Sequence, residues 1–252
     1  MNVNFVMQGK GGVGKTLVSS FLAQYFLYKN KNIMCYDTDP VNSTFSAYKS
    51  LNVKQFQFME DQKIISTKFD DLIEDIIACK DNGEEAPIDE IIVDNGAPSF
   101  LPLSSYMLNN DLIDVFKEND IHLSIHIVIA GSQALIDCIN GMNSLITNFT
   151  TNGKPENLSF YIWLNSYQGK IQLEGKEFTQ MKAFINNQEK INSVIEIPQV
   201  DQDVFGTTFN DILKNRKTFK EGYEDLNIRI MARQRLKRLE KNIFDLIGAS
   251  GL

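Results

Sequence analysis

The residues with the clearest chemical potential in this 252-residue chain are residues 9–16, with the sequence GKGGVGKT. They match the pattern G-x-x-x-x-G-K-[ST], in which a glycine-rich backbone turns its N–H groups toward a phosphate. We expect Lys15 to reach the β- and γ-phosphates and the Thr16 hydroxyl to ligate Mg²⁺. The backbone groups expected to surround the phosphates belong to Gly11, Gly12, Val13 and Gly14. The alternative is a glycine-rich turn that binds no ligand.

Two further segments place carboxylates where a metal ion and a water molecule could use them. Residues 37–42 (DTDPVN) carry Asp37 and Asp39 directly after an apolar run. Two carboxylates at this spacing suit one role beside the metal and one beside the water, although a turn completed by Pro40 is the alternative. Residues 90–94 (EIIVD) form a second apolar run that ends in Asp94, the pattern of an acid that holds Mg²⁺ at a strand terminus.

Other catalytic centres have weaker support. His122 and His126 lie four apart in a strand-like run, where core or edge histidines are more common than a metal pair. No serine, histidine and aspartate set suggests a nucleophile. Three isolated cysteines indicate free thiols in a reducing compartment, and their spacing does not suit an iron–sulfur cluster.

The elements that must position these residues alternate between strands and helices. Apolar runs predict strands at residues 3–8, 32–37, 90–94, 123–130, 158–165 and 193–198. Helical patterns fall at 15–29, 67–80, 104–118, 132–148, 175–189, 201–214 and 227–247. The alternation predicts an α/β fold, a mostly parallel twisted sheet with helices on both faces, whose ligands bind beyond the carboxyl ends of the strands. We expect one domain over residues 1–252.

Composition and charge narrow the class of protein. The chain is 43% hydrophobic and 23% charged, values typical of a soluble globular protein rather than a disordered chain. No apolar stretch reaches the length of a membrane span, and Met1 is followed by no basic region or cleavage site, so we expect a cytoplasmic protein. The net charge of −7 argues against a generally basic nucleic-acid binder.

The charge is unevenly distributed along the chain. Residues 214–241 hold ten basic and four acidic residues, a net charge of +6, which leaves −13 on the rest. All five arginines lie between Arg216 and Arg238. The basic C-terminal helical segment, about 214–247, is either a solvated face of a packed helix, a non-specific contact to DNA, or a membrane anchor. We expect no membrane role, because such anchors are usually short tails.

Lys10 adds a second lysine to the loop, and residues 10–16 resemble the deviant phosphate loop of the ParA/MinD family of ATPases. The resemblance implies a P-loop NTPase fold in which Lys10 crosses a dimer interface to the nucleotide of the other subunit. It also implies that Asp39 orients the attacking water, while Asp37 supports the Mg²⁺ shell through water. The absence of arginine before Arg216 is consistent with a lysine supplied in trans. A solvated lysine is the alternative.

The same resemblance implies three weaker assignments. Gly96 matches a position where a backbone N–H senses the γ-phosphate, although Asn95 and Gly96 could form only a turn. Asn165 matches an adenine-reading asparagine, and Pro198 a proline in the adenine loop. An asparagine after a strand is also a common turn residue. No N-K-x-D-type guanine motif is present, which favours ATP over GTP.

A second resemblance extends over most of the chain, to the TraL family of nucleotide-binding proteins in plasmid conjugation. Besides the motifs above, it rests on shorter segments at residues 48–53 (YKSLNV), 94–100 (DNGAPSF), 102–104 (PLS), 163–165 (WLN), 174–176 (EGK), 180–183 (QMKA) and 233–237 (RQRLK). It implies a setting in conjugative DNA transfer. Val41 departs from plasmid-partition relatives, which usually carry glutamine there.

Together these features predict a switch ATPase that binds ATP and Mg²⁺, dimerises on ATP and hydrolyses it slowly. The resemblance to conjugation proteins implies that it positions or recruits relaxosome or transfer-machinery proteins. Three alternatives remain open: a plasmid-partition ATPase that binds DNA non-specifically, a nucleotide-dependent binding module without significant turnover, and a metabolic P-loop ligase or synthetase.

Overall fold

The computed structural model describes residues 1–39, 41–60, 63–81, 86–199 and 207–252. Seven strands form one sheet in the order β11-β8-β7-β1-β6-β2-β3, and every neighbouring pair is parallel. Two small hairpins, β4–β5 and β9–β10, stand apart from it. The strands are β1 (Asn2–Met7), β2 (Ile33–Asp37), β3 (Lys54–Gln55), β4 (Met59–Glu60), β5 (Lys63–Ile64), β6 (Glu90–Asp94), β7 (His122–Ala130), β8 (Leu158–Asn165), β9 (Gln172–Leu173), β10 (Lys176–Glu177) and β11 (Ser193–Ile197).

Helices cover both faces of the sheet. The described residues form α1 (Lys15–Tyr28), α2 (Lys68–Ala78), α3 (Phe100–Asn109), α4 (Leu112–Glu118), α5 (Leu135–Phe149), α6 (Lys182–Ile185), α7 (Thr207–Lys214), α8 (Phe219–Glu224) and α9 (Ile230–Ala249). Helix α9 packs against α1, α7 and α8, whereas α3 packs against α4 and α5. None of the helices in the described part of the chain has both the length and the apolar character needed to cross a membrane.

The central strands are buried on both faces, which explains their nearly continuous apolar sequence. Every residue of β8 is buried, as are all residues of β7 after His122. His126 is fully buried, accepts a hydrogen bond from Trp163 Nε1 (2.9 Å) and contacts Asn4 Oδ1 (3.0 Å). It is therefore a core histidine, as expected. Cys35, Cys79 and Cys138 are buried and form no disulfide, so the part of the prediction that concerns free thiols is confirmed.

The register brings four strand ends to one edge of the sheet. Asp37 at the end of β2 pairs with Asp94 at the end of β6, and Val6 of β1 pairs with Asp94 on the other side. Across the sheet, Asn165 at the end of β8 pairs with Ala130 of β7. The loops after β1, β2, β6 and β8 therefore start from a common edge, as the predicted parallel sheet requires.

Two predicted helices differ from the structure. The expected helix at 104–118 is two helices, α3 and α4, because the chain turns at Asp111, whose φ of 48° is left-handed. The prediction of a helix at residues 175–189 is wrong. Glu174 and Gly175 both have positive φ and form the turn of the β9–β10 hairpin, which leaves only the four-residue α6 beyond it.

The predicted strands match the main sheet strands closely, and the helix predicted at 201–214 is seen as α7. The first part of that prediction, residues 201–206, lies outside the described residues. The final helix begins at Ile230, and the separate helix α8 precedes it. The basic segment at 214–247 is thus helical in two pieces.

Candidate functional site

The glycine-rich loop joins β1 directly to the N-terminus of α1. Gly12 and Gly14 have φ angles of 74° and 101°, a region that residues with side chains rarely adopt. Gly14 is the residue preceding α1, so the loop leads straight to a helix N-terminus, where backbone N–H groups and the helix dipole attract anions. A Cβ at Gly14 would also overlap Asn165 Nδ2. The glycine is therefore required both by its backbone angle and by a close neighbour.

Lys15 lies under this loop and is only 8% exposed. Its Nζ donates a hydrogen bond to the carbonyl oxygen of Lys10 at 3.1 Å. Burial lowers the pKa of the Lys15 ammonium, while the nearby carboxylates of Asp94 and Asp39 raise it. Since an ammonium has three donors, the group retains hydrogen-bonding capacity for phosphate oxygens.

Thr16 and Asp94 meet beneath the start of α1. The Thr16 hydroxyl donates to Asp94 Oδ2 at 2.7 Å, and the Ser19 hydroxyl donates to Asp94 Oδ1 at 2.8 Å. Burial raises the pKa of Asp94 to about 7, and these two hydroxyls oppose the shift. Ser19 was not predicted as part of the site, although it lies three residues after Thr16 and so on the same side of the helix.

Asp37 and Asp39 hold the backbone of the loop that follows β2. The Asp37 oxygens accept hydrogen bonds from the N–H groups of Asp39 (3.1 Å) and Ser46 (2.8 Å), and burial raises the pKa of Asp37. Asp39 Oδ1 accepts from the N–H groups of Val41 and Asn42, both at 2.9 Å. Both carboxylates therefore shape the loop, in addition to any role toward a metal ion or water.

The loops after β2 and β6 are in direct contact. A Cβ at Gly96 would lie 2.8 Å from both Cα and Cγ of Asp39, so only glycine allows the two segments to approach this closely. Thr38 ties the loops together because its N–H and its hydroxyl both donate to the Asp94 carbonyl at 3.0 Å. The Thr38 link was not predicted, since a threonine between two aspartates carries no distinctive signal.

Asn165 supports the phosphate loop from the end of β8. It is fully buried, and its Nδ2 donates to the carbonyl oxygen of Val13 at 2.8 Å. Its Oδ1 is buried without a hydrogen-bond partner in the described structure. Pro198 follows Ile197, which pairs with Asn165, so it lies at the same edge of the sheet. The loop after Pro198 falls outside the described residues from 200 to 206.

Lys10 lies at the surface of the loop. Its Nζ forms a 2.8 Å ion pair with Asp137 Oδ2 of α5, and both side chains are about half exposed. Gln8, two residues before Lys10, is fully buried and donates to the carbonyl oxygens of Val128 (3.0 Å) and Cys138 (3.1 Å). Neither Gln8 nor Asp137 was identified from the sequence as a contact of this loop.

A cavity of about 860 Å³ lies at the opposite edge of the sheet between α1 and α9. It contains Glu90 and Glu240 but none of the residues of the phosphate loop. We assign the functional site to the loop because the unusual backbone angles, the buried lysine and the paired oxygen ligands are all there.

The residues present fit a nucleotide and a magnesium ion. Asn165 Oδ1, which has no hydrogen-bond partner among the described residues, is an acceptor able to receive an amino group of a base. The two left-handed glycines orient N–H groups for phosphates. Thr16 and Asp94 supply oxygen ligands, which Mg²⁺ prefers, while it keeps several waters. The described residues contain no larger cluster of metal-binding side chains.

Comparison with known proteins agrees with this geometry. A family model described as the CobQ/CobB/MinD/ParA nucleotide binding domain matches residues 5–244. The chain belongs to this family. Two proteins from Escherichia coli, both called Protein TraL, are similar over nearly their full length. One is 40% identical over 250 residues, covering 99% of this chain and 98% of the relative; the other is 38% identical over 242 residues, covering 96% and 95%.

Solved MinD structures have the same fold. The MinD cell division protein of Aquifex aeolicus has a TM-score of 0.52 at 14% identity and covers 97% of both chains. The septum site-determining protein MinD of Pyrococcus horikoshii, complexed with Mg-ADP, has a TM-score of 0.53 at 16% identity and covers 99% of both chains. The CobQ/CobB/MinD/ParA membership confirms the predicted fold and the ParA/MinD resemblance, and the TraL relatives confirm the second resemblance.

Proposed function

We propose that this protein is an ATP-dependent switch of plasmid conjugation, which binds ATP and Mg²⁺, dimerises, and resets by slow hydrolysis. In the dimeric state it positions or recruits relaxosome or transfer-machinery proteins. The observation that carries the proposal is the joint placement of Lys15, Thr16 and Asp94 beneath a glycine-rich loop at a helix N-terminus. Similarity to the TraL proteins supports the setting in conjugation.

Each site residue has a defined task in this proposal. Lys15 and the loop backbone bind the phosphates, and Thr16 and Asp94 hold the Mg²⁺, which neutralises phosphate charge when bound. Asp37 supports the water shell of the metal while fixing the loop. Asp39 orients the attacking water, and Gly96 presents its N–H to the γ-phosphate. Asn165 and Pro198 contact the base.

Dimerisation is supported by the surface around the phosphate loop. Lys10 extends to this surface. Three large apolar side chains are exposed on the segments beside the loop: Val41 is 63% exposed, Leu101 66% and Ile136 57%. Exposed apolar groups of this kind favour an interface that covers them. A second copy of the chain, docked face to face across two nucleotides, would bury them.

Solution mass, measured by light scattering, tests the proposal. With ADP·Mg²⁺ we expect a monomer, and with ATP·Mg²⁺ a particle of twice the mass. The Lys10→Ala variant should bind ATP but remain monomeric, because it lacks the lysine that reaches the other nucleotide. If the wild-type mass is the same with ATP and ADP although ATP binds, the switch hypothesis is wrong. The binding module and the small-substrate ligase then become the leading alternatives.

Non-specific DNA binding is a second candidate activity, favoured by the basic surface of α9. Arg229, Lys237, Arg238 and Lys241 are exposed. A DNA contact made by such residues weakens steeply with salt. ATP-dependent, salt-sensitive binding to arbitrary duplex DNA, lost on replacing the exposed Arg229, Arg238 and Lys241 together, would favour the plasmid-partition alternative.

A further inference from the structure

The ion pair between Lys10 and Asp137 keeps the loop lysine on its own subunit. The Lys10 Nζ to Asp137 Oδ2 distance is 2.8 Å, and the side chains are 43% and 57% exposed. Asp137 lies in the first turn of α5, where the helix dipole already favours a carboxylate. The Asp137 carboxylate therefore stabilises α5 with or without its ion pair to Lys10. The ion pair is a second, separate interaction of the same carboxylate.

The backbones that carry the two residues are held rigidly together. Gln8 Nε2 donates to the Cys138 carbonyl, next to Asp137, and Gln8 Oε1 accepts from the Gly9 N–H at 2.9 Å, next to Lys10. Gly141 of α5 leaves the space for this side chain, since a Cβ there would overlap Gln8 Oε1. Because the Gln8 bridge fixes both main chains, only the side chains of Lys10 and Asp137 need to move for the ion pair to open.

The ion pair also borders the face that the proposed dimer covers. Lys10 and Asp137 line a cleft of about 510 Å³ together with Ala97, Pro98 and Leu101. Leu101 is 66% exposed, and Ile136, adjacent to Asp137, is 57% exposed. A second copy that approaches this face meets the ion pair directly.

We propose that Asp137 is a positioning residue that holds Lys10 in the monomer and releases it to the nucleotide of the other subunit when the dimer forms. This inference rests on the proposed function. The triphosphate carries more negative charge than a single carboxylate, so it displaces Asp137 as the partner of Lys10. An exposed ion pair is weak, and Asp137 therefore raises the protein concentration at which dimers form without preventing them.

The test is the concentration dependence of dimerisation in ATP·Mg²⁺, measured by light scattering on wild type and Asp137→Asn. We expect the variant to dimerise about three- to tenfold more tightly, since two ion pairs open for each dimer. Asp120→Asn is the matched control, because Asp120 forms a comparable surface pair with Lys80 at 3.1 Å. It should leave dimerisation unchanged.

Two further measurements separate release of Lys10 from a general effect on the interface. Lys10→Ala and the double variant Lys10→Ala/Asp137→Asn should both remain monomeric in ATP·Mg²⁺, whereas dimerisation of the double variant would show that Asp137 acts on the interface without Lys10. In the nucleotide-free monomer, Asp137→Asn should increase acylation of Lys10 by an amine-reactive reagent, followed by mass spectrometry, because the ion pair raises the pKa of Lys10.

The outcomes distinguish this inference from the proposed function. If wild type dimerises with ATP but Asp137→Asn dimerises equally or more weakly, the role of Asp137 is wrong and the switch stands. Unchanged Lys10 reactivity would also refute that role. If wild type does not dimerise with ATP, the proposed function fails, and the inference fails with it.

Discussion

Three carboxylates at the candidate site differ in what holds them, and this difference separates their roles. Asp94 is held by the hydroxyls of Thr16 and Ser19, which a metal ion can share or replace. Asp37 is held by backbone N–H groups on both oxygens and is fully buried. Asp39 uses one oxygen, Oδ1, to cap its loop. In the proposed function, its other oxygen, Oδ2, is the one that orients the water molecule.

This geometry permits a sharp test of Asp39. Asp39→Asn keeps an oxygen that can cap the Val41 and Asn42 N–H groups but removes the charge, whereas Asp39→Ala removes both. We expect both variants to lose about 100-fold in ATP turnover if the carboxylate orients water. Steady-state phosphate release measures this. Normal turnover in Asp39→Asn, with a loss confined to Asp39→Ala, would show that Asp39 only shapes the loop.

A second prediction at this scale concerns Gly14. Gly14→Ala should abolish ATP binding and lower the free energy of unfolding by more than 2 kcal/mol, on the order expected for left-handed strain combined with overlap on Asn165. Gly153→Ala is the control, because Gly153 has nearly the same φ, 99° against 101°, but open space around it. Denaturant unfolding and ATP titration of both variants check this. Equal effects of the two substitutions would contradict a specific role for the Asn165 contact.

At the scale of elements, the site depends on strand ends rather than on any one loop. The loops after β1, β2 and β6 are joined by Thr16, Thr38 and Gly96, while β8 contributes Asn165 from two strands away. Each of these contacts crosses between segments that are far apart in the chain. The parallel register determines that they meet, because it aligns the carboxyl ends.

Helix α9 carries the pH-dependent prediction. Partial burial raises the pKa of Glu240 from 4.5 to about 7, and Lys237 opposes the shift. Because the pKa of Glu240 is higher in the folded state than in the unfolded state, protonation of Glu240 favours folding. This contribution to the free energy of unfolding is fully present below pH 4.5 and is lost as the pH rises through 7. The free energy of unfolding of wild type should therefore fall by about 1 kcal/mol between pH 5 and pH 8, after allowance for solvent screening of a half-buried group. The Glu240→Gln variant should not show this decrease.

Denaturant unfolding at both pH values measures the effect. The exposed Glu224, replaced by glutamine, is the control and should follow wild type. A Glu240→Gln variant whose stability falls with pH as steeply as that of wild type would contradict the prediction.

At the scale of the whole molecule, the charge is separated between a basic C-terminal segment and an acidic remainder. Helix α9 nevertheless packs on α1 and the sheet through Leu236, Leu239, Ile243 and Ile247, which are buried. The helix is thus part of the main core, while its basic residues Lys237, Arg238 and Lys241 are exposed. A single domain over residues 1–252 is the prediction that this packing supports.

A single domain predicts one cooperative unfolding transition, with the same midpoint by near- and far-ultraviolet circular dichroism. ATP·Mg²⁺ at about 100 times its Kd should stabilise the fold by about 2.7 kcal/mol. For a chain of this length, that raises Tm by roughly 5–10 °C. Lys15→Ala should show the same single transition without the increase. Separate midpoints for the two probes would contradict a single domain, and an unchanged wild-type Tm would contradict ATP binding.

The sequence by itself determined six of the seven strands of the main sheet, the phosphate loop and the aspartates that the strand ends place beside it. These depend on local patterns: apolar runs long enough to cross a sheet, glycines at fixed spacing, and aspartates directly after strands. It failed at Asp111 and at residues 175–189, because a left-handed residue or a hairpin turn interrupts a helical pattern without changing its apolar spacing.

Only the tertiary structure decided which groups those residues contact. Ser19 on Asp94, Gln8 on Cys138, Asn165 on Val13 and Asp137 on Lys10 all join segments whose separation in space no local pattern encodes. The physical reason is that strand order and register set these distances. The order β8-β7-β1-β6-β2 places β1 between β7 and β6, which are distant from it in sequence, so it depends on the packing of the complete chain.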